Sequence, residues 1–394
     1  MKKFATILIV VVLLLSMVVG LVACTNNDSE VQAAIKDAAG MTWDELLAKA
    51  KEEIGDNELS IYGTTSRVNE TSFTEKTGIK VKVSQPNDSQ IFELLKEEVG
   101  NNVYGADVIL TTDSFNMVNN AMANGWVENY VPGPYADKIA KGDQEPLVCF
   151  YYNRAFVYNN GGAGDGQLKK YLNNVWQLTE AQYAGCEVKS PMDEKCTMNF
   201  LITLTSPTWQ AKLKEAYKKY YNKEWTASDK YDNISLEWID KFITNCRFVN
   251  KDGTIAKDVE AGQAGSIGFY TLSKFRSASD KSKLTVAAFD DIEGFGAMLF
   301  PMYVMLTSNA KYPYAACLYV NYLLGTEGYQ KVFGEEMGAY SSNTSIPLTA
   351  NAIADGDKEL SYWQQRSVIE DAQYVASVYA TYYTKFAQWC AAKG

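Results

Sequence analysis

The chain has 394 residues, of which 47% are hydrophobic and 21% charged, so it can bury a sizeable core and its length predicts two domains. Its 37 Lys and Arg against 47 Asp and Glu give a net charge of −10, and no basic segment is dense enough to neutralise a row of phosphates, so we expect no nucleic acid partner. Histidine is absent, which removes the commonest general base, the histidine-dependent nucleophile pairs and most catalytic zinc sites. The composition favours binding over catalysis.

The N-terminal segment predicts export from the cytoplasm. Lys2 and Lys3 precede an uncharged run over residues 4–23, as in a signal peptide. The Leu-Val-Ala-Cys sequence at 21–24 resembles the bacterial lipobox, so we expect cleavage after residue 23 and acylation of Cys24, for example with palmitate. An uncleaved membrane-spanning helix is the alternative, because the run is long enough to cross a bilayer. Both predict attachment to the outer face of the cell membrane.

Residues 24–41 are polar and rich in alanine, and we interpret them as a flexible tether. The six remaining cysteines lack the Cys-x-x-Cys spacing of a metal site, and we expect neither a metal nor a cofactor. Cys186 and Cys196 are near enough in sequence to form a disulfide, which export permits. Buried free thiols are the alternative.

Residues 42–127 alternate between helix and strand patterns. A capping box at Thr42 begins an amphipathic helix that ends before Gly55. The patterns then predict strands at 59–62, 79–83 and 106–110, and helices at 67–77, 91–99 and 117–122. This βαβαβ order predicts an α/β fold with a mostly parallel, doubly wound sheet, which binds ligands beyond the carboxyl ends of its strands.

Polar side chains follow two of these strands, where each passes into a helix. The first set is Tyr62, Thr64, Thr65, Ser66 and Arg67, and the second is Thr112, Asp113 and Ser114. Hydroxyls and a cation at a helix N-terminus can hold an anion or another polar ligand. Taken singly, Thr65, Ser66 and Ser114 are as well explained as helix caps.

A strand-like stretch at 151–159 predicts a crossover into a second lobe, and its Tyr151 is placed to reach a cleft. The second lobe repeats the strand-to-helix pattern. A strand at 186–189 is followed by Asp193 and Thr197 and then by the apolar run 200–204. We include Tyr151, Asp193 and Thr197 in the candidate ligand site.

Seven segments follow one another in an order typical of a known family. They are a Trp-containing helix start at 42–53, a strand with a hydroxyl-rich end at 59–67, Lys-Thr-Gly-Ile-Lys-Val at 76–81, Gly-Ala-Asp-Val at 105–108, Asn-Gly-Trp-Val at 124–127, Tyr-Asn at 158–159, and Trp-x-Leu-Thr-x-x-x-Tyr-x-Gly at 176–185. The chain from about residue 42 to about residue 346 thereby resembles the extracellular solute-binding proteins of bacterial ABC importers, which have the type II periplasmic-binding fold. The similarity is to the branch with ferric-iron, polyamine, and phosphonate or sugar-phosphate binders.

The resemblance implies two lobes, each a doubly wound sheet flanked by helices, that close over a ligand. Lobe 1 would comprise 42–148 and 290–346, with 297–306 returning to it, and lobe 2 would comprise 149–289 and 347–394. It also implies that Tyr270 and Thr271 belong to the ligand site. The protein would be a monomer without enzymatic activity that passes a small solute to a membrane permease and its ATPase.

Three ligand classes stay open. The cations near the expected cleft, Arg67, Lys189, Lys274 and Arg276, suit a phosphate or carboxylate, whereas acids such as Asp113, Asp193 and Glu194 suit the ammonium groups of a polyamine. Ferric binders of this branch use adjacent tyrosines, often with His or carboxylate help, and Tyr270 has no tyrosine neighbour. We favour an anionic organic solute, because the Thr-Thr-Ser-Arg turn is more specific than scattered acids.

Two functions outside transport are also considered. A ligand-sensing lipoprotein would have the same fold and the same sequence features. A lipoprotein enzyme is less favoured, because the chain lacks both a Gly-x-Ser-x-Gly nucleophile elbow and histidine.

Overall fold

A computed structural model describes residues 29–69, 71–162, 171–334 and 337–393, so the predicted signal peptide and Cys24 lie outside the described residues. None of the helices in these ranges is long and apolar enough to cross a membrane. A mixed sheet of twelve strands runs through the molecule. Its strands are β1 (Glu58–Gly63), β2 (Lys80–Ser84), β3 (Val108–Thr111), β4 (Val127–Glu128), β5 (Val148–Asn159), β6 (Glu187–Val188), β7 (Arg247–Phe248), β8 (Ile267–Thr271), β9 (Leu284–Val286), β10 (Ala297–Thr307), β11 (Ala339–Ser341) and β12 (Ser367–Ile369).

Helices cover both faces of this sheet. They are α1 (Glu30–Ala38), α2 (Trp43–Ile54), α3 (Ser72–Thr77), α4 (Asp88–Glu98), α5 (Ser114–Asn116), α6 (Lys195–Thr203), α7 (Pro207–Tyr221), α8 (Ile234–Asn245), α9 (Asp252–Ala261), α10 (Pro313–Leu324), α11 (Thr326–Tyr329), α12 (Ala350–Ala354), α13 (Leu360–Arg366) and α14 (Ala372–Ala392). The π-helical turn Met117–Met122 extends α5, and short 3₁₀ turns connect several other elements.

Two long antiparallel strands join the halves of the molecule. The strand order is β2-β1-β3-β10-β5-β8-β6-β7, in which β5 and β10 pair with each other at the centre. On one side β1, β2 and β3 are parallel, which makes the first lobe, and on the other β6 is parallel to both β7 and β8, which makes the second lobe. The predicted α/β fold with two lobes and crossing strands is confirmed, whereas the residue boundaries of the lobes stay predictions.

Local signals explain most of the first-lobe elements. The Thr42 side chain accepts from the Glu45 amide and the Glu45 carboxylate accepts from the Thr42 amide, which completes the predicted capping box of α2. The predicted helix at 67–77 is instead a 3₁₀ turn, Ser66–Asn69, followed by α3. That helix ends as predicted at Gly78, whose φ of 77° is left-handed and favours glycine.

The predicted tether is wrong over α1. A capping box between Ser29 and Gln32 begins this helix, and its buried residues are Val31, Ala34 and Ala38. These positions repeat at helical spacing but are mostly alanine, so the apolar stripe was hidden in an alanine-rich composition. The helix packs against α10 of the first lobe, which fixes the chain from residue 30 onward.

The structure also decides between a disulfide and free thiols at Cys186 and Cys196. Cys186 and Cys196 are both buried free thiols, as are Cys149, Cys246 and Cys317, while Cys390 is partly exposed and also free. Burial raises the pKa of the Cys186 and Cys196 thiols well above the usual range, so they remain protonated. They act as small apolar side chains of the second lobe.

The C-terminal segment from residue 347 onward was predicted to belong to the second lobe alone. In the structure it contacts both lobes. The indole of Trp363 and the hydroxyl of Tyr340 in β11 both donate to Asp357, at 3.0 and 2.8 Å. Helix α14 packs against α6 and α8 of the second lobe and also against α5 of the first, where Tyr379 stacks on Phe115 with ring centroids 4.1 Å apart. The hydrophobic periodicity of the sequence cannot reveal these contacts, because they join segments that are far apart in the sequence.

One buried carboxyl group connects the two lobes at the start of this tail segment. Glu370 is 5% exposed, and its Oε1 accepts hydrogen bonds from Ser114 at the start of α5 and, at 3.0 Å, from the Asn199 amide of α6. Its Oε2 has no hydrogen-bond partner among the described residues. Burial raises the pKa of Glu370 to about 8.

Glu370→Gln should flatten the dependence of stability on pH. Because the folded pKa of about 8 lies above the unfolded value of about 4.3, the folded state binds the extra proton between these values, and the free energy of unfolding falls as pH rises. The limiting slope is about 1.4 kcal/mol per pH unit. Glutamine keeps the oxygen that accepts from Ser114 and Asn199. Urea unfolding between about pH 5 and pH 9 measures both profiles, and parallel profiles would show that Glu370 ionises normally.

Candidate functional site

A cleft of about 590 Å³ opens between the lobes, beside the two central strands. Its walls come from three parts of the fold. The first lobe contributes Thr64, Thr65, Arg67, Asp88 and Thr112, the central strands contribute Tyr152, Arg154, Phe300 and Met302, and the second lobe contributes Glu194, Asp252, Thr271, Ser273, Lys274 and Arg276. Ligands bind at such strand ends in open α/β sheets, so this cleft is the candidate functional site.

The first-lobe wall is formed by the ends of two paired strands. Gly63 of β1 lies opposite Leu110 of β3, so the polar residues that follow both strands meet at one edge. Asp88 in the first turn of α4 accepts from the Thr112 amide at 2.9 Å and from the Thr112 hydroxyl at 3.2 Å. The carboxylate thereby fixes the loop after β3 and is itself hydrogen-bonded within the first lobe.

The floor of the cleft is a buried arginine on β5. Arg154 is 1% exposed and donates to Glu194 at 2.9 Å, to Asp252 at 3.2 Å and to the Thr197 hydroxyl at 2.9 Å. Asp252 also accepts from the Thr271 hydroxyl at 2.8 Å, and Lys189 forms an ion pair with Glu194. Two cations and two carboxylates therefore form a balanced cluster, called here the Arg154 cluster: Arg154, Lys189, Glu194 and Asp252.

Mutual attraction keeps Arg154 and Glu194 charged despite burial. Desolvation would raise the pKa of Glu194, but the positive charges of Arg154 and Lys189 outweigh it and hold that pKa below its usual range. Desolvation would likewise lower the pKa of Arg154, but Asp252 and Glu194 raise it. The carboxylates of the floor are therefore occupied by cations of the protein itself.

The guanidinium groups of Arg67, from the first lobe, and Arg276, from the second, line the same cleft. The pKa of Arg276 is lowered first by burial and then by the positive charge of Arg67. Arg67 also reaches the hinge, since burial raises the pKa of Tyr152 while the Thr65 hydroxyl and Arg67 oppose that rise. Like charges held near each other repel, and an anion placed between them would relieve the repulsion.

Five of the predicted site residues line the cleft: Thr64, Thr65, Arg67, Thr112 and Thr271. Thr197 contacts Arg154 and Glu194 from behind the floor. Ser66 begins the 3₁₀ turn beside Thr65, and its side chain is outside the described part of the protein.

Three predicted residues of the first lobe serve the fold instead. The Tyr62 hydroxyl donates to Glu98 at 2.8 Å, away from the cleft. Asp113 is fully buried and caps α5 through a 3.1 Å hydrogen bond from the Asn116 amide, and Ser114 donates to Glu370. The residue that caps the helix after β3 is therefore Asp113 and not Ser114, for which the cap alternative was stated.

Three more predicted site residues do not line the cleft. Tyr151 and Tyr270 lie on the opposite faces of their strands, and Asp193 lies on an exposed turn. Tyr151 lies on the opposite face of β5 from Tyr152, and its hydroxyl donates to Asp143 at 2.5 Å. Tyr270 is the neighbour of Thr271 on β8 and is fully buried. Asp193 lies exposed on the turn before α6 and does not line the cleft.

Two residues of the cleft floor, Arg154 and Asp252, were not among the predicted site residues. Arg154 could have been recognised, because it is the single charged residue in the strand-like stretch 151–159, and a buried charge requires a partner. No local sequence pattern distinguishes Asp252 from a solvent-exposed carboxylate at the start of a helix. Phe300 and Met302 lie in the apolar run 297–306, which is typical of core residues.

Arg154→Met should strongly destabilise the protein, because it leaves Glu194 and Asp252 buried without their main cation. The expected loss is about 3 to 5 kcal/mol in the free energy of unfolding. Arg247→Met is the matched control, since Arg247 also pairs with two carboxylates but is 59% exposed, and it should cost about 1 kcal/mol or less. Urea unfolding at neutral pH compares the two, and equal losses would contradict a buried ion cluster.

Solved structures with the same fold include several binding proteins. Iron-bound HitA from Pseudomonas aeruginosa has a TM-score of 0.62 at 14% identity, with 86% of this chain and 99% of that chain covered. IdiA (FutA) from Trichodesmium, in complex with iron and citrate, has 0.60 at 18%, with 86% and 99% covered. AfuA from Actinobacillus pleuropneumoniae with bound fructose-6-phosphate has 0.56 at 17%, with 81% and 94% covered.

The family of the chain follows from its sequence. No curated protein matches it. A family model described as bacterial extracellular solute-binding protein matches residues 70–335, which include all the central strands and most of the cleft. The chain therefore belongs to the bacterial extracellular solute-binding protein family.

Proposed function

We propose that this protein is the solute-binding lipoprotein of an ABC importer and that it captures a small anionic organic solute, of the phosphonate or sugar-phosphate class, for delivery to a membrane permease. The observation that carries the proposal is the placement of Arg67 and Arg276 on opposite walls of one cleft, close enough for Arg67 to lower the pKa of Arg276. An anion between them would attract both lobes and favour the closed state.

The charges of the cleft support an anion over a polyamine. Each of the three lining carboxylates is already engaged: Asp88 by Thr112, and Glu194 and Asp252 by Arg154. The Lys274 ammonium, in contrast, makes no ion pair or hydrogen bond with any described residue. A polyamine would have to displace Arg154 to gain Glu194 or Asp252, which leaves Asp88 as the one lining carboxylate in the described ranges that is bonded only to neutral groups.

The uncharged walls suit an organic ligand. Thr64, Thr65 and Ser273 offer hydroxyls to phosphate oxygens, and the rings of Tyr152 and Phe300 offer apolar surface to a sugar. The bound fructose-6-phosphate of AfuA is an example of such a ligand in this fold.

Ferric ion remains an alternative because two of the similar structures hold iron. In the described ranges the cleft has Tyr152 as its tyrosine, while Tyr270 is buried on the other face of β8. The same ranges contain no group of three or more Cys, Asp or Glu side chains arranged to hold a metal. These features favour an organic anion.

Fructose 6-phosphate should bind, and Arg67→Ala should weaken that binding. Loss of a charge-assisted hydrogen bond costs about 1.5 to 3 kcal/mol, or about 10-fold to 150-fold in affinity. Lys96→Ala on α4 is the control, because it removes the same charge from an exposed site outside the cleft. Calorimetry measures the affinities, and small-angle scattering should show compaction on binding.

A parallel panel of spermidine and ferric citrate separates the alternatives. Tight binding of spermidine that Arg67→Ala leaves unchanged or improves would support a polyamine binder and overturn the proposal. Binding of the phosphate without compaction would contradict a clamp that closes over its ligand.

The lipid anchor is tested separately. Cys24→Ala should abolish acylation and release the protein from the membrane, or leave it with an unprocessed signal, without changing the folded body, because residue 24 precedes α1. Mass spectrometry of the mature N-terminus gives the lipid mass, and membrane fractionation gives the location. A mature N-terminus elsewhere, without a lipid, would overturn this part of the proposal.

A further inference from the structure

A second cavity, of about 480 Å³, adjoins the cleft on the second lobe. It lies around the first turns of α9 and shares Asp252 and Lys274 with the cleft as walls. Its remaining charged residues are Lys189, Lys251 and Lys257. We call this cavity the lysine groove. A ligand in the cleft that extends past Asp252 would enter it.

Three of the four lysines in the groove lack a counter-ion. Lys189 is paired with Glu194, but the side-chain ammonium groups of Lys251, Lys257 and Lys274 make no hydrogen bond or ion pair with any residue in the described ranges. Their charges therefore add around one cavity. Solvated surfaces ordinarily mix charges of both signs, which makes this uncompensated set unusual.

The nearby carboxylates do not compensate these lysines, because they are committed elsewhere. Asp252 is bound to Arg154 and Thr271, and Asp258 on the same helix pairs with Arg247. Glu260 accepts from the Asp280 amide at 2.8 Å. Asp252 is thus the one carboxylate among the described residues that line the groove, against four lysines.

The Arg154 cluster separates this positive region from the Arg67 and Arg276 pair. Asp252 of this cluster and Lys274 line both cavities, so the cleft and the lysine groove meet at these two residues. Such an arrangement matches a solute with an anionic group at each end and hydroxyls between them.

We infer that the solute of this protein carries two anionic groups, as in a sugar bisphosphate or a phosphorylated sugar acid, with one group at Arg67 and Arg276 and the other in the lysine groove. This inference rests on the proposed function, since it specifies the ligand of the same cleft. It predicts that a bisphosphate is preferred over the matching monophosphate.

Calorimetry with fructose 6-phosphate and fructose 1,6-bisphosphate tests the inference. The wild type should bind the bisphosphate at least about 10-fold more tightly, because the second phosphate gains charge-assisted contacts. The double variant Lys251→Ala/Lys257→Ala should reduce this preference to less than about 3-fold and leave the monophosphate affinity nearly unchanged. The matched control is Lys214→Ala/Lys385→Ala, which removes two exposed lysines of α7 and α14 outside the groove.

The outcomes separate the inference from the proposed function. If fructose 6-phosphate binds through Arg67 but the bisphosphate gains nothing, or if the groove variant and the control behave alike, the inference is overturned and the proposed function stands. If neither phosphate binds to the folded wild-type protein, the proposed function fails as well. Raising the salt concentration should weaken the bisphosphate more than the monophosphate.

Discussion

The buried Arg154 cluster determines how the second lobe is held against the central strand β5 beside the cleft. A guanidinium that is 1% exposed in a central strand is tolerated only if partners replace its lost hydration. Glu194 precedes α6 and Asp252 begins α9, so the cluster fixes the starts of two second-lobe helices against β5. The position of the second-lobe wall therefore depends on a charge in the hinge.

The same cluster sets the sign of the cleft. Because Arg154 uses Glu194 and Asp252 internally, the cleft contains three carboxylates that are already bound and several cations at its walls and along its extension on α9. A count of charges from the sequence indicates an acidic protein, whereas four cations and three carboxylates line the cleft. Net charge is therefore a poor guide to the ligand, and the pairing of individual side chains is what decides it.

The features predicted correctly from the sequence depend on neighbouring residues. The capping box at Thr42, the end of α3 at Gly78 and the polar ends of β1 and β3 all arise within a few residues, and Thr64, Thr65 and Arg67 indeed line the cleft. The features predicted wrongly depend on long-range pairing. Which of Tyr151 and Tyr152 faces the cleft is set by the register of β5 with β10, and the helical stripe of α1 is recognisable only once α10 is there to cover it.

The junction at Glu370 constrains how the lobes can move. Tyr152 and Phe300 face the cleft, whereas Tyr151, Pro301 and Glu370 line a cavity on the opposite face of the same two strands. Glu370 is bonded there to both lobes, through Ser114 and Asn199, so separating the lobes at this point would leave buried polar groups without partners. A rotation about the junction would open the cleft and keep these hydrogen bonds, with displacement growing toward the walls that hold Arg67 and Arg276. A ligand that bridges those walls would act far from the junction at Glu370, where a given attraction produces a larger torque.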